Sequence, residues 1–127
     1  SIKATPGQIQ TFDPWEGYCQ ELETKVDIAK IRAAIRQGTL TVFADVMYGA
    51  AAGGLSRLLD APIHELHSYR DPLFGGGAPE PLPRYLQEFL AQVKAYRQEH
   101  PTGLVTGLVF DGDADRIAAV DGTGNFL

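Results

Sequence analysis

An apolar segment followed directly by three alternating aspartates constrains this chain more than any other feature. Residues 104–110 are largely apolar, which is typical of a strand buried on both faces. Asp111, Asp113 and Asp115 follow this segment, and residues 117–120 form a second strand pattern. The sequence therefore predicts a loop that carries three carboxylates at the end of a buried strand.

Helix and strand patterns alternate along the 127 residues. Strands are predicted over 39–44, 63–66, 104–110 and 117–120, and helices over 14–25, 28–37, 55–59 and 83–99. Asp27 and Gly38 have the residue types that begin and end the second helix. The alternation predicts a three-layer α/β/α sandwich with a mostly parallel or mixed sheet of about four strands, flanked by helices. We expect residues 1–127 to form a single domain of this kind.

The aspartate loop has the composition of a divalent-cation site. Carboxylate oxygens are hard ligands that suit Mg²⁺ or Mn²⁺. Gly112 and Ala114 are small, so the backbone can turn all three carboxylates toward one point. Without a cation the three charges would repel one another by roughly several kcal/mol at reduced dielectric. Arg116 adds a planar fork of donors that suits phosphate oxygens.

Spacing separates this loop from two other metal loops. An EF-hand requires Gly at the sixth position and Glu at the twelfth, where this sequence has Arg116 and Gly122. A haloacid-dehalogenase-type phosphatase has Thr or Val where Asp115 stands. The twelve residues after Asp115 also lack the Lys and acidic motifs that such a phosphatase needs. A turn of solvated aspartates is the remaining alternative, and the preceding apolar strand and the following Arg116 weigh against it.

Three segments, in order, resemble one enzyme family. Residues 110–116 (Phe-Asp-Gly-Asp-Ala-Asp-Arg), followed by Ile117 and Val120-Asp121, are similar to the metal-binding loop of the α-D-phosphohexomutase superfamily. Residues 42–50 resemble the family's strand that ends in Asp, and residues 71–81 resemble the loop before its next helix. The likeness runs from about Tyr18 to Leu127 and matches the second of the family's four domains.

The resemblance implies a function for the whole enzyme. Phosphoglucomutases and phosphomannomutases of this superfamily move a phosphoryl group on a hexose phosphate through a phosphoserine in the first domain. The resemblance assigns Mg²⁺ to Asp111, Asp113 and Asp115, and it assigns stabilisation of the transferring phosphoryl group to Arg116. The sequence has no serine loop of the Thr-Ala-Ser-His-Asn type. We therefore expect an excised second domain that is inactive alone and works with the missing domains.

Two other functions stay open at this point. A non-catalytic module could use the same loop to bind metal or phosphate, and a stand-alone Mg²⁺-dependent phosphatase would hydrolyse its substrate.

The net charge of −5 disfavours a nucleic-acid partner, which would need a surplus of basic residues. No apolar run reaches the length of a membrane span. A single cysteine, Cys19, favours a reducing, cytoplasmic location.

Two further groups of residues have candidate functions that we weigh against structural ones. Residues 49–54, rich in Gly and Ala, could cradle a phosphate, but the Lys and Ser/Thr of a P-loop are missing. A tight connection from strand to helix is favoured there. His64, His67 and His100 have no paired metal spacing. We expect them to be surface or edge-strand histidines.

Overall fold

The described part of the protein contains four α-helices, two short 3₁₀ turns and four strands. A computed structural model describes residue 7 and residues 9–127, so residues 1–6 and 8 of the predicted domain lie outside it. No helix in the described part is long and apolar enough to cross a membrane. The helices are α1 (Trp15–Glu23), α2 (Ile28–Arg36), α3 (Gly54–Leu59) and α4 (Gln87–Glu99). The strands are β1 (Leu40–Asp45), β2 (His64–Leu66), β3 (Leu104–Phe110) and β4 (Ile117–Asp121).

The strands form one mixed sheet in the order β2-β1-β3-β4. β1 pairs in parallel with β2 and with β3, and β4 pairs antiparallel with β3. In this register Asp45 lies beside Leu66 on one side and beside Val109 on the other. The carboxyl ends of the three parallel strands therefore meet at one edge, which is where binding sites lie in open α/β sheets.

Helices cover both faces of the sheet and create two cores. On one face, α4 packs on the sheet; on the other, α2 and α3 do. Because side chains alternate along a strand, Val42 and Phe43 enter different cores. The first core includes Phe43, Phe89, Val93, Val109 and Val120, and the second includes Ile28, Ile35, Val42 and Leu59. The predicted three-layer sandwich with a mixed four-stranded sheet is confirmed.

The ends of two helices show how local sequence fixes the elements. Asp27 accepts a hydrogen bond from the Lys30 N–H at 2.9 Å, and Gly38 has φ = 73°, so both ends of α2 form as predicted. α4 begins at Gln87, later than the predicted residue 83. Pro83–Tyr85 forms a separate 3₁₀ turn, because Leu86 leaves the helical conformation (φ −111°, ψ 18°) while its side chain is fully buried.

Gly107 in β3 leaves room for the first core. A Cβ atom at this residue would lie 2.5 Å from Phe89 Cζ and 2.6 Å from Val120 Cγ2. We predict that Gly107→Ala lowers the free energy of unfolding by about 1–3 kcal/mol through overpacking, as measured by chemical denaturation. Gly17→Ala is the matched control, because nothing lies within 4 Å of its Cβ position in α1. This control should be neutral or stabilising, and equal stabilities for the two variants would contradict the prediction.

Candidate metal centre

The three aspartates lie in the loop that joins β3 to β4. Phe110 pairs with Ile117 across the two strands, so Asp111–Arg116 forms the connection, which we call the aspartate loop. The Asp111 N–H donates to the Arg116 carbonyl at 3.3 Å and closes the loop. Within it, the Ala114 N–H donates to the Asp111 carbonyl at 3.2 Å, and Ala114 has φ = 63°. The backbone therefore curls over a few residues, as the small side chains predict.

The curl brings the three carboxylates together. One oxygen from each of Asp111, Asp113 and Asp115 lies within 4.8 Å of the other two. Among the described residues, no other group of three acidic, His or Cys side chains converges in this way. Asp111 is buried, whereas Asp113 and Asp115 are exposed. One carboxylate is thus fixed in the fold, and two face solvent.

This donor set fits a hard divalent cation. Mg²⁺ holds six oxygens at about 2.1 Å, so neighbouring ligand atoms lie roughly 3 Å apart and opposite ones roughly 4 Å apart. Oxygens that already lie within 4.8 Å of one another can reach one such ion by side-chain rotation. Three monodentate carboxylates would leave three positions for water or phosphate oxygens. That these residues bind metal stays a prediction.

Arg116 is hydrogen-bonded to Asp111, the buried aspartate of the loop. Its Nε donates to Asp111 Oδ2 at 2.7 Å, and its backbone N–H donates to Asp111 Oδ1 at 3.2 Å. Nε also lies 3.7 Å from Asp115 Oδ1. All ion pairs of Arg116 with the described residues use Nε. The side chain is 61% exposed, so its terminal amino groups are available to an anion at the rim of the loop.

The pKa values of the loop follow from these contacts. Burial raises the pKa of Asp111, but the hydrogen bonds from Arg116 outweigh it and hold this pKa below its ordinary value. The hydrogen bond with Asp111 and the charge of Asp113 raise the pKa of Asp115. Asp111 likewise raises the pKa of Arg116. The loop therefore concentrates negative charge that a cation would relieve.

Two neighbouring segments hold the backbone at Gly112. Its N–H donates to the Pro79 carbonyl at 3.2 Å, and its carbonyl accepts the Ala50 N–H at 3.0 Å. A Cβ atom on Gly49 would lie 2.5 Å from the Gly112 oxygen. The sequence predicts residues 49–54 only as a tight connection, and this contact was missed. A glycine soon after a strand end was the available signal, because glycine permits such close backbone approach.

An open cleft of about 410 Å³ lies beside the aspartate loop. Gly112 is the loop residue that lines it, together with Gly49, Tyr69, Arg70, Asp71 and Phe74. Asp71 shapes this wall, since its side chain accepts hydrogen bonds from the backbone N–H groups of Leu73 and Gly75, both at 2.9 Å. The cleft provides space for a ligand next to the loop, at the carboxyl edge of the sheet.

The last residue of β1 forms a second polar contact at this edge. Asp45 is 1% exposed, and its Oδ1 lies 2.9 Å from His67 Nδ1. The His67 side chain is 20% exposed, and its Nε2 lies 3.5 Å from Glu88 Oε2. The sequence predicts a surface or edge-strand histidine at this position. His67 directly follows β2, an edge strand of the sheet, in line with this prediction, and it also contacts a buried carboxylate. Nothing in the local sequence pattern indicated that contact.

A comparison with protein families matches most of the chain. The profile described as phosphoglucomutase/phosphomannomutase, alpha/beta/alpha domain II, matches residues 16–124. A probable phosphoglucosamine mutase of Methanothermobacter thermautotrophicus is 34% identical over 124 residues, which cover 94% of this chain and 24% of that protein. The cytoplasmic phosphoglucomutase of Pisum sativum is 29% identical over a 121-residue alignment that covers 87% of this chain and 20% of that protein.

Solved structures agree with this match. A protein assigned as a phosphomannomutase from Thermus thermophilus superposes with a TM-score of 0.74 at 31% identity, covering 94% of this chain and 26% of that one. The open form of a Paramecium phosphoglucomutase, parafusin, has a TM-score of 0.72 at 22% identity and supports the fold alone. The chain spans only about a fifth to a quarter of the length of these relatives.

Because neighbouring carboxylates raise the pKa of Asp115, its charge opposes folding at neutral pH. We predict that Asp115→Asn raises the denaturant midpoint of the metal-free protein at pH 7 in EDTA. The gain should shrink as the pH falls toward the raised pKa of Asp115, where the wild-type carboxyl takes up a proton. It should also shrink in about 1 M salt, which screens exposed charges. A lower midpoint for the variant at pH 7 would show that repulsion does not dominate the loop.

Proposed function

The chain belongs to the phosphoglucomutase/phosphomannomutase α/β/α domain II family, and we propose that it is the metal-binding domain of a sugar-phosphate mutase. Asp111, Asp113 and Asp115 would hold Mg²⁺, and Arg116 would contact the transferring phosphoryl group. The observation that carries this proposal is the convergence of three carboxylate oxygens within 4.8 Å at the end of β3. Hard oxygen donors of this kind suit Mg²⁺ or Mn²⁺ and not a soft metal.

The residues of the aspartate loop would have different roles in phosphoryl transfer. When bound, the ion supplies positive charge that neutralises the phosphoryl oxygens. The exposed Asp113 and Asp115 would anchor it at the solvent side, and the buried Asp111 would fix its position relative to the sheet. Because Asp111 holds Nε of Arg116, the terminal amino groups of Arg116 can donate to phosphoryl oxygens without a large rearrangement. Positioning and charge neutralisation are the main requirements of this chemistry.

The rest of the catalytic machinery would come from outside this chain. We propose that the complete enzyme is a cytoplasmic, intramolecular phosphotransferase. Its substrate would be a hexose phosphate, and a phosphoserine on another domain would donate the phosphoryl group. Support comes from relatives named phosphoglucomutase, phosphomannomutase and phosphoglucosamine mutase, of which this chain covers about a fifth to a quarter. Three plant relatives have names that describe them as cytoplasmic. The sequence also lacks the serine loop that such transfer requires.

Metal binding by the aspartate loop can be measured on this chain alone. We predict that Mg²⁺ or Mn²⁺ raises the thermal midpoint of the wild-type protein. At an ion concentration ten times the dissociation constant, binding should add about 1.4 kcal/mol to the free energy of unfolding. Asp113→Asn should lose this shift, because one ligand charge is removed. Asp60→Asn is the control: it makes the same charge change at an exposed ion pair with Arg36, away from the loop. Equal shifts in wild type and in the Asp113 variant would contradict the assignment.

Turnover separates the proposal from the alternative of a stand-alone phosphatase. With glucose 1-phosphate, Mg²⁺ and a coupling dehydrogenase, we predict no glucose 6-phosphate formation by the isolated chain and no release of inorganic phosphate. In the complete mutase, Asp113→Ala should abolish activity, since the ion then loses a ligand. Mutase turnover by the chain alone would contradict the need for other domains, and phosphate release would favour the phosphatase.

A further inference from the structure

The proposed chemistry leaves one buried carboxylate, Asp45, without a role. Its Oδ1 accepts the backbone N–H of Met47 at 2.9 Å and lies 2.9 Å from His67 Nδ1. Met47, Tyr48 and His67 have φ values of 45°, 59° and 53°. Non-glycine residues rarely adopt this region, and such conformations persist only where surrounding contacts impose them. The Asp45 carboxylate is therefore the centre of a conformationally demanding turn after β1.

Backbone hydrogen bonds connect this turn to the end of β2. The Val46 N–H donates to the Leu66 carbonyl at 3.3 Å, and the Tyr48 N–H donates to the His67 carbonyl at 2.8 Å. The Gly49 N–H donates to the Val46 carbonyl at 2.8 Å and ends the turn. Together with the contact between Asp45 and His67, these bonds fix where Gly49 lies.

Gly49 in turn fixes the aspartate loop. Its Cα has no room for a side chain, because a Cβ atom would lie 2.5 Å from the Gly112 oxygen and 2.9 Å from Gly112 Cα. The next residue, Ala50, donates its N–H to that same oxygen at 3.0 Å. Since the Gly112 carbonyl lies between Asp111 and Asp113, a shift of Gly49 would change the direction of two of the three carboxylates.

We propose that Asp45, His67 and Gly49 are positioning residues that hold the aspartate loop in its metal-binding conformation. The inference rests on the proposed function, because it concerns the affinity of the same site. None of the three would touch the ion. They act through the backbone of Gly112, as residues that orient metal ligands from outside the coordination sphere do. A merely structural role would change stability but leave the metal affinity of the folded protein unaltered.

His67 allows a test in which chemistry and backbone conformation are separated. His67→Asn keeps an N–H donor close to the position of Nδ1, and Asn tolerates the positive φ of this residue. His67→Ala removes the donor. His100→Ala is the matched control, because His100 lies beyond the end of α4 and stacks on Tyr96. Gly49→Ala tests the backbone contact, with Gly17→Ala as its control.

The experiment measures Mn²⁺ affinity by electron paramagnetic resonance of free Mn²⁺, together with the chemical-denaturation midpoint of each variant. We expect His67→Ala and Gly49→Ala to weaken Mn²⁺ binding about tenfold or more. His67→Asn and both controls should bind as wild type does. If Gly49→Ala fails to fold, the two His67 variants decide the matter.

Two results would overturn the inference while leaving the proposed function intact. One is a folded His67→Ala variant that binds Mn²⁺ as tightly as wild type. The other is an equal loss of affinity in His67→Ala and His67→Asn, since the Nδ1 donor would then be irrelevant. A wild-type chain that binds no Mn²⁺ would overturn the proposed function and this inference together.

Discussion

Parallel pairing of β1 with β3 determines where the chemistry of this domain can lie. Six residues of each strand pair in register, from Leu40 with Leu104 to Asp45 with Val109, so both strands end at the same edge of the sheet. Both faces of the pair are covered, and most residues of the two strands are therefore apolar. Carboxylates come only at the last pair or directly after it. Asp45 and Asp111 are both buried at this boundary, each held by a basic or backbone donor.

The fold stabilises one charge of the aspartate loop and leaves another in repulsion with its neighbours. Asp111 is stabilised in the fold by Arg116, which lowers its pKa against the opposing effect of burial. Asp115 has no comparable compensation, and its neighbours raise its pKa. The metal-free loop thus stores electrostatic repulsion among groups that the fold does not need for packing. Such repulsion is typical of a functional site, because a protein keeps a local loss of stability where a bound ligand offsets it.

Local sequence predicted the elements more completely than the contacts between them. The apolar run of β3, the Asp27 cap and the Gly38 end of α2 depend on neighbours in the chain, and all three appear as expected. α4 begins later than predicted, because burial of Leu86 overrides the helical pattern around Pro83. The contacts between Asp45 and His67 and between Gly49 and Gly112 join residues far apart in sequence. Only the register of the folded sheet brings them together, so no periodicity could indicate them.

The metal affinity of the site would depend on the aspartates and also on the residues that hold their backbone in place. Asp113 and Asp115 are exposed, and flexible surface carboxylates lose entropy when they converge on an ion. That loss is smaller if the backbone that leads into them is already fixed. Here the Gly112 peptide is bonded on both sides, to Pro79 through its N–H and to Ala50 through its carbonyl. Preorganisation of this kind would let two exposed carboxylates and one buried carboxylate act as a single metal site. The affinity of the loop should then depend on the turn after β1 as well as on the aspartates.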